Sequence, residues 1–358
     1  MNSPKDTGQI RTRPAEKCWL CGEPGRLIYE KMQDRCLEAP GEWNWRKCQN
    51  PACGMVWLDP LPTEEDIGKA YQGYYTHSQP EPAPRLFRTV CWGIWNSYLG
   101  ARFGYQTGVG PKWLRLFAPL ALLHPGGREE LDAAAMHLAA PEKSSRLMDV
   151  GCGSGVALKR MQSFGWQVEG VDPDPSAAEA ARARGVLVKT GSLAEQHYPD
   201  NHFDAVHMAH VLEHVHDPAA LLRECFRVLK PGGTLVAITP NIESLGHREF
   251  GPSWLALDPP RHLLLFSLGT LRQSAERTGF RIEKLDSTVR IAWVSGALSG
   301  CIRRTGRGEV GRLGEPANLL RGILFQLRER LALRHDPKAG DELRLIATKP
   351  QPQPVRPA

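Results

Sequence analysis

The sequence predicts a doubly wound α/β fold that is preceded by a small metal-binding domain. Three observations carry this prediction. Strand-like and helix-like segments alternate from Ser145 onward, a glycine-rich turn follows the first of these strands, and two cysteine pairs lie near the N-terminus. Strands separated by helices of roughly 10–15 residues are typical of βαβ units, and such units build a parallel sheet.

The alternation consists of five strand-like runs and three helical patterns. The strands are predicted at 146–150, 167–171, 186–189, 203–208 and 234–239. The helices are predicted at 156–164, 176–184 and 218–229. After them come a predicted helix at 268–278 and strands at 281–289 and 342–348. An insertion at 296–340 separates those two strands and holds a basic amphipathic helix within 318–334.

Composition divides the rest of the chain. Residues 1–17 are polar and are predicted to form a disordered tail. Residues 18–59 are dense in Cys and Trp, and residues 18–75 are predicted to form the metal-binding domain. We expect a linker and a helical lid segment at 76–140, and the α/β domain at 141–350.

The overall composition is that of an ordinary globular protein, with 41% apolar and 23% charged residues. A net charge of +6 without a dense Lys/Arg face beside the cysteines argues against nucleic acid as a partner. The first residues lack the apolar core of a signal peptide. Since four of the nine cysteines form a metal-like array and the others are scattered, we expect a reducing, cytoplasmic environment.

The strongest functional signal is the turn Asp149-Val150-Gly151-Cys152-Gly153-Ser154-Gly155. Glycines there permit positive φ angles and close approach of a ligand to the backbone. The spacing is G-x-G-x-G, whereas dinucleotide-binding enzymes use G-x-G-x-x-G. A carboxylate at Asp149 would repel a pyrophosphate but suits a cationic amine. S-adenosylmethionine (SAM) carries such an amine and no phosphate, so the turn predicts a SAM site.

A second acidic residue supports the same cofactor. Asp172 ends the second predicted strand, roughly 20 residues beyond the first glycine, where an acidic side chain reaches ribose hydroxyls.

Four segments in order resemble the successive motifs of class I SAM-dependent methyltransferases: DVGCGSG, GVDPDP, FDAVHMAHVLEHVHDP and VLKPGGTLVAITPN. The resemblance covers about residues 145–290. It implies a Rossmann-like, seven-stranded sheet of order 3-2-1-4-5-7-6 with SAM over the carboxyl ends of the strands. It also implies that Gly151, Gly153 and Gly155 pass the methionine end of SAM and that Asp172 holds the ribose. By the same resemblance Ser192 and Leu193 border the adenine, and Ala209 and His210 close the pocket.

The cysteine pairs Cys18-x2-Cys21 and Cys48-x4-Cys53 predict a zinc site. Four thiolates satisfy tetrahedral Zn²⁺ and leave no open position for a catalytic water, so the metal is expected to be structural. Cys36, between the pairs, is either a core residue or a substitute ligand.

This front region, followed by CGMVWLDPLPTEEDIGKAYQGYY, resembles the zinc-ribbon leader of a subgroup of bacterial methyltransferases. The subgroup includes sugar C-methyltransferases of deoxysugar biosynthesis and enzymes associated with surface polysaccharide. The sugar enzymes carry a further C-terminal α/β domain, for which this sequence leaves no room. We therefore expect O-methylation of a small-molecule or carbohydrate-type acceptor rather than C-methylation.

Two histidines are candidate catalytic residues because a hydroxyl nucleophile needs a base. His214 follows the fourth strand and His262 follows the fifth. In the sugar enzymes a His stands at the place of His214 and a Glu-His pair at the place of Arg261-His262. We predict that His262 is the base and that His214 orients the acceptor. The alternative is that both only pack and that catalysis rests on positioning.

Two other functions stay open at this point: an rRNA methyltransferase with a zinc finger, and a SAM-binding protein without catalysis. The Trp-rich segment with Trp92, Trp95 and Trp113, together with the basic helix, would suit a membrane surface if the acceptor is lipid-linked. The alternative for both segments is a core or lid role.

Overall fold

The computed structural model of the protein describes residues 8–71, 95–105 and 126–352. The strands are β1 Thr12–Arg13, β2 Gly25–Met32, β3 Trp43–Cys48, β4 Val56–Asp59, β5 Leu61–Pro62, β6 Arg146–Val150, β7 Gln167–Asp172, β8 Leu187–Thr190, β9 Phe203–Ala209, β10 Leu229–Pro240, β11 Leu264–Leu265, β12 Arg281–Thr288 and β13 Glu342–Thr348. The α-helices are α1 Gly127–Ala134, α2 Val156–Ser163, α3 Pro175–Ala183, α4 Pro218–Val228, α5 Leu245–Phe250, α6 Leu268–Thr278, α7 Ala292–Thr305 and α8 Pro316–Ala332. Residues 95–103 are also helical.

The central sheet has seven strands in the order β12-β13-β10-β9-β6-β7-β8. Counted along the α/β domain, this is the expected order 3-2-1-4-5-7-6. The five strands from β8 to β10 run parallel, while β13 is antiparallel to both β10 and β12. The predicted doubly wound α/β fold is therefore confirmed.

The inner strands form because they can be buried on both faces. Leu147 and Met148 on β6, Val206 and Met208 on β9, and Leu235 on β10 are fully buried. Such continuous apolar runs are typical of parallel strands covered by helices. Because these buried strands are parallel, the carboxyl ends of β6, β7 and β9 lie at one edge of the sheet, where the functional site lies.

A second sheet, in the order β11-β4-β3-β2, joins the front region to the α/β domain. Its outer strand β11 belongs to the α/β domain and pairs with β4 through Leu264 and Trp57. Trp43, Trp45 and Trp57 are buried and lie in one apolar core with the central sheet. The front region therefore shares a sheet and a core with the α/β domain.

The prediction of a disordered tail over residues 1–17 is wrong for its second half; residues 1–7 lie outside the described part. Strand β1 pairs with β5. The backbone N–H of Ala15 donates to Asp59, and the indole of Trp57 donates to the Ala15 carbonyl. Arg11 pairs with Asp66. The polar composition predicts disorder, but contacts with residues 42–55 positions away in the sequence fix the segment.

The predicted insertion is a helical hairpin, with α7 packed along α8. The contact is close because glycines face the partner helix: a Cβ on Gly296 would lie 2.5 Å from the Phe325 ring. The expected helix within 318–334 is thus confirmed as α8. Much of the predicted linker and lid at 76–140, including Trp92 and Trp113, lies outside the described residues. Among the described helices, none is long and apolar enough to cross a membrane.

Candidate active site

The glycine turn between β6 and α2 has the backbone geometry that the motif predicts. Gly151, Gly153 and Gly155 have φ angles of 70°, 54° and 73°. A Cβ on Gly155 would lie 2.7 Å from that of Ala181, whereas Gly153 faces open space. Helix α2 begins without a side-chain cap. Its cap residue, Gly155, has no side chain to accept hydrogen bonds from the first N–H groups of the helix, and such groups can bind a ligand.

Asp172 lies against this turn at the end of β7. Its carboxylate accepts hydrogen bonds from the backbone N–H groups of Gly153 at 2.7 Å and Asp174 at 2.9 Å. Burial raises the pKa of the Asp172 carboxyl. A carboxylate has about four acceptor sites, so two remain for ribose hydroxyls.

Asp149 is the penultimate residue of β6, beside the turn, and its carboxylate is 2.7 Å from Nδ1 of His207 on β9. Both residues are buried. This partner was not predicted, although a lone histidine within the apolar run of β9 was the available signal. The His207 contact orients the carboxylate that we assign to the amine of SAM.

The loop after β8 reaches the same edge, since the N–H of Gly191 donates to the carbonyl of Asp172. Ser192 is exposed, and its N–H donates to Glu195. Leu193 is buried in the main core. These positions agree with the border of an adenine pocket, and their role remains a prediction.

Strand β9 ends at Ala209, and His210 follows with a φ of 56°. The His210 ring lies between two carboxylates, with Nδ1 3.1 Å from Glu213 and Nε2 2.8 Å from Glu342. Burial alone would lower the pKa of His210, but the two hydrogen-bonded carboxylates raise it to about 10. The ring is therefore an imidazolium at neutral pH.

The two glutamates are fully buried and have further donors. Thr239 Oγ1 donates to Glu213 at 2.9 Å, and Arg290 pairs with Glu342 at 3.0 Å. Burial opposes ionisation, yet the surrounding cations lower the pKa of both carboxyls to about 2. The side chain of Glu213 is central to this network, since it contacts both His210 and Thr239.

His214 and His262 meet edge to face, with ring centroids 4.7 Å apart. Nδ1 of His262 is 2.7 Å from the Ala256 carbonyl, and Nδ1 of His214 is 3.0 Å from the Arg261 carbonyl. Since a carbonyl only accepts, each Nδ1 carries a proton, and Nε2 is the atom that can accept a proton when the ring is neutral. Burial and the neighbouring His262 lower the pKa of His214 to about 4, so its ring is neutral.

The front region reaches this histidine pair. The hydroxyl of Tyr71 is 2.9 Å from Nδ1 of His214. A second contact between the regions joins the hydroxyl of Tyr29 on β2 to Nε2 of His247 on α5, at 2.9 Å. Neither tyrosine was predicted as a site residue, because both partners are far away in sequence.

Glu213, His214 and His262 each offer a ligand atom, and these atoms lie within 4.8 Å of one another. Two imidazoles and a carboxylate are also a donor set for divalent cations. A test of the histidines must therefore separate proton acceptance from metal binding.

Arg261, which precedes His262, is fully buried. Its guanidinium donates to both oxygens of Asp34, at 2.7 and 2.9 Å, and to Asp258. It also donates to the Ala70 carbonyl. Arg261 thus connects the front region to the loop that carries His262, and its role is structural.

The four predicted metal ligands come together in the front region. Cys18 and Cys53 have sulfurs 3.7 Å apart, and Cys21 and Cys48 have sulfurs 3.4 Å apart. Tetrahedral zinc with Zn–S bonds of about 2.3 Å places its sulfurs about 3.8 Å apart. The cluster therefore fits a Cys₄ zinc site, and Cys36 lies outside it.

The fold, the glycine turn and the acidic residue at the end of β7 together define a SAM-binding domain of the methyltransferase type. In agreement, residues 126–285 match the family described as "Methyltransferase domain". This part of the chain is a class I SAM-dependent methyltransferase domain.

Two relatives illustrate the similarity. Over 139 residues the chain is 34% identical to a protein named ubiquinone biosynthesis O-methyltransferase from Xanthomonas campestris pv. campestris (strain B100), which is 36% of this chain and 56% of that protein. It is 33% identical over 139 residues to a probable S-adenosylmethionine-dependent methyltransferase from Mycolicibacterium smegmatis, covering 38% of this chain and 52% of that protein. The chain thus spans about half the length of these relatives.

Among solved structures, the chain is similar to Haemonchus contortus phosphoethanolamine N-methyltransferase 2 in complex with SAM. The sequence identity is 17% and the TM-score 0.47, over 83% of this chain and 63% of that one.

Proposed function

We propose that the protein transfers a methyl group from SAM to a hydroxyl of a small-molecule or carbohydrate-type acceptor. The observation that carries this proposal is the pair His214 and His262, whose Nε2 lone pairs lie at the carboxyl edge of the sheet. A methyl acceptor of the hydroxyl type needs a group that takes its proton. The O-methyltransferase relatives from Xanthomonas support a hydroxyl acceptor.

SAM supplies the electrophilic methyl group when it is bound. The residues assigned to hold it are the three glycines of the turn, Asp149, Asp172, the loop at Ser192 and Leu193, and the end of β9 at Ala209 and His210. The open space over Gly153 and the positive φ angles of the turn support this assignment.

Asp172→Ala is expected to weaken SAM binding by about 1.5–3 kcal/mol, because the change removes a charged acceptor from the ribose hydroxyls. Titration calorimetry measures the affinity. Asp172→Asn is the matched control, since its amide oxygen keeps one acceptor and should give an intermediate loss. Unchanged affinity in the alanine variant would show that SAM binds elsewhere.

In the proposed reaction His262 accepts the proton of the acceptor hydroxyl at Nε2. The hydrogen bond from its Nδ1 to the Ala256 carbonyl fixes the ring, and Arg261 fixes the loop. His214, neutral and held by Tyr71 and the Arg261 carbonyl, orients the acceptor. The protein's contribution is thus positioning and proton acceptance.

His262→Asn should lower turnover at least about 10²-fold and leave SAM affinity nearly unchanged, because a general base acts only in the transition state. The substrate is found by incubating labelled SAM with fractions of small metabolites, glycans and RNA. His202→Asn is the control, since this histidine contacts Arg146 at the opposite edge of the sheet.

Near-normal turnover of His262→Asn across a pH series would make His262 a packing residue. His214 would then be the base, or positioning alone would suffice. If turnover instead needs an added divalent cation that His262→Asn no longer binds, the trio with Glu213 is a metal site and His262 is a ligand. Label in the RNA fraction alone would overturn the proposed acceptor class.

We also propose a structural zinc ion bound by Cys18, Cys21, Cys48 and Cys53. The sulfur spacings support it, and the buried position of three of the four residues favours a closed site.

A further inference from the structure

The outer face of α8 carries a row of exposed leucines. Leu319, Leu320, Leu324, Leu327 and Leu331 are 40–57% exposed. Positions 320, 324, 327 and 331 follow the helical repeat and therefore form one stripe along the helix. Single exposed leucines are common on proteins, but a contiguous row marks an interaction surface.

The orientation of α8 is fixed by its inner face. Phe325 packs on Gly296 of α7, and Gln326 donates to the carbonyls of Val289 and Arg290. Arg330 pairs with Glu129 of α1. The helix cannot rotate its leucines inward without breaking these contacts, so within residues 8–71, 95–105 and 126–352 the leucines stay on the outer, exposed face.

The exposed charged side chains of α8 itself are arginines. Arg321 and Arg328 are exposed beside the leucines, and Arg334 is exposed just beyond the helix. The single acidic residue of the helix sequence, Glu329, is fully buried on the other face. Arg328 pairs with Glu249, whereas no acidic residue of α8 shares the leucine face. The partner surface is therefore both apolar and anionic.

A second copy of the chain fits this surface poorly. A two-fold contact through the stripe would bring Arg321 and Arg334 of two copies toward one another, and like charges across an interface are unfavourable. An anionic bilayer suits both features, because leucines enter the boundary between headgroups and acyl chains while arginines reach phosphates. We propose that the outer face of α8 binds the surface of a membrane containing anionic phospholipids.

On its inner face, α8 contacts residues of the active-site network. Gln326 of α8 holds the backbone at Arg290, and Arg290 pairs with Glu342 in the His210 network. The inference goes beyond the proposed methyl transfer and does not depend on it, since it concerns a surface and not the reaction.

Co-sedimentation with phosphatidylcholine vesicles, with and without phosphatidylglycerol, tests the proposal. We expect the wild-type chain to bind the anionic vesicles and to bind neutral ones at least about tenfold more weakly. The double variant Leu320→Glu/Leu324→Glu should lose at least about tenfold in vesicle binding, because it removes apolar area and adds anionic charge. Leu187→Glu is the matched control: this leucine on β8 is 56% exposed, on the opposite part of the fold.

SAM affinity, measured for every variant, shows that each is folded and separates this inference from the proposed function. The proposal is overturned if the wild type does not bind anionic vesicles, or if Leu187→Glu loses as much binding as the double variant. It is also overturned if light scattering finds a dimer that the double variant converts to a monomer, since the face would then be a contact between two copies.

Discussion

Removal of zinc by a strong chelator should unfold the front sheet and abolish turnover while SAM still binds. Structural zinc sites contribute apparent binding free energies of about 10–16 kcal/mol, and this energy is folding energy. The ligands lie at the ends of β3 and in the turns around β2 and β4, so their release frees the sheet edge. Because β4 pairs with β11, the disturbance reaches the loop that carries His262. The glycine turn lies on the other sheet and should remain intact.

Elemental analysis of protein purified without chelator should find one zinc per chain. Hydrogen exchange after chelation should rise over β2, β3 and β4 and remain low over β6 and β9. Cys48→Ser should reproduce the loss of zinc, whereas Cys36→Ser should retain the metal because that thiol lies outside the cluster. Protein without zinc, or a loss of zinc in Cys36→Ser, would contradict the assignment.

The features that were predicted correctly from sequence are those with local signals. The strands and helices of the α/β domain follow from the alternation of apolar runs, and the bounds agree within a few residues. The glycine turn was readable because its residues are consecutive and its geometry depends on the positive φ angles that glycine permits. The four cysteines were recognisable from spacing alone, since each pair is local.

The features that were missed depend on contacts between distant residues. Strand β11 has only two residues, and its pairing with β4 joins positions more than 200 apart. Nε2 of His210 meets Glu342, 132 residues later in the chain. The guanidinium of Arg261 donates to Asp34, which lies 227 residues earlier in the chain. The residues next to a polar or charged residue in the sequence do not show whether its side chain is buried. Its role depends on a partner that is distant in the sequence.

His210→Asn should lower the free energy of unfolding by about 3 kcal/mol near pH 6. The imidazolium lies between Glu213 and Glu342, and removal of one partner from a buried charge group typically costs about 3–5 kcal/mol. The lower end is expected because the His210 ring is one-third exposed. Asparagine tolerates the left-handed backbone of this position, so the loss reflects charge and not strain. Urea unfolding measures the change.

The pH dependence identifies the network as the cause. The folded-state pKa of His210 is raised from 6.5 to about 10, so its stabilisation is complete below pH 6.5 and is lost as the pH rises toward 10. The carboxyls of Glu213 and Glu342 have folded-state pKa values lowered from 4.5 to about 2, so their stabilisation is present above pH 4.5 and is lost as the pH falls toward 2. The difference in the free energy of unfolding between wild type and His210→Asn should therefore be largest between about pH 4.5 and 6.5. It should shrink as the pH rises from 6.5 toward 10.

His197→Asn is the matched control, since that exposed histidine has a φ of 51° and its replacement should change the free energy of unfolding little. A stability difference that is constant from pH 6 to about 10 would mean that His210 stabilises the fold by packing and not as a cation.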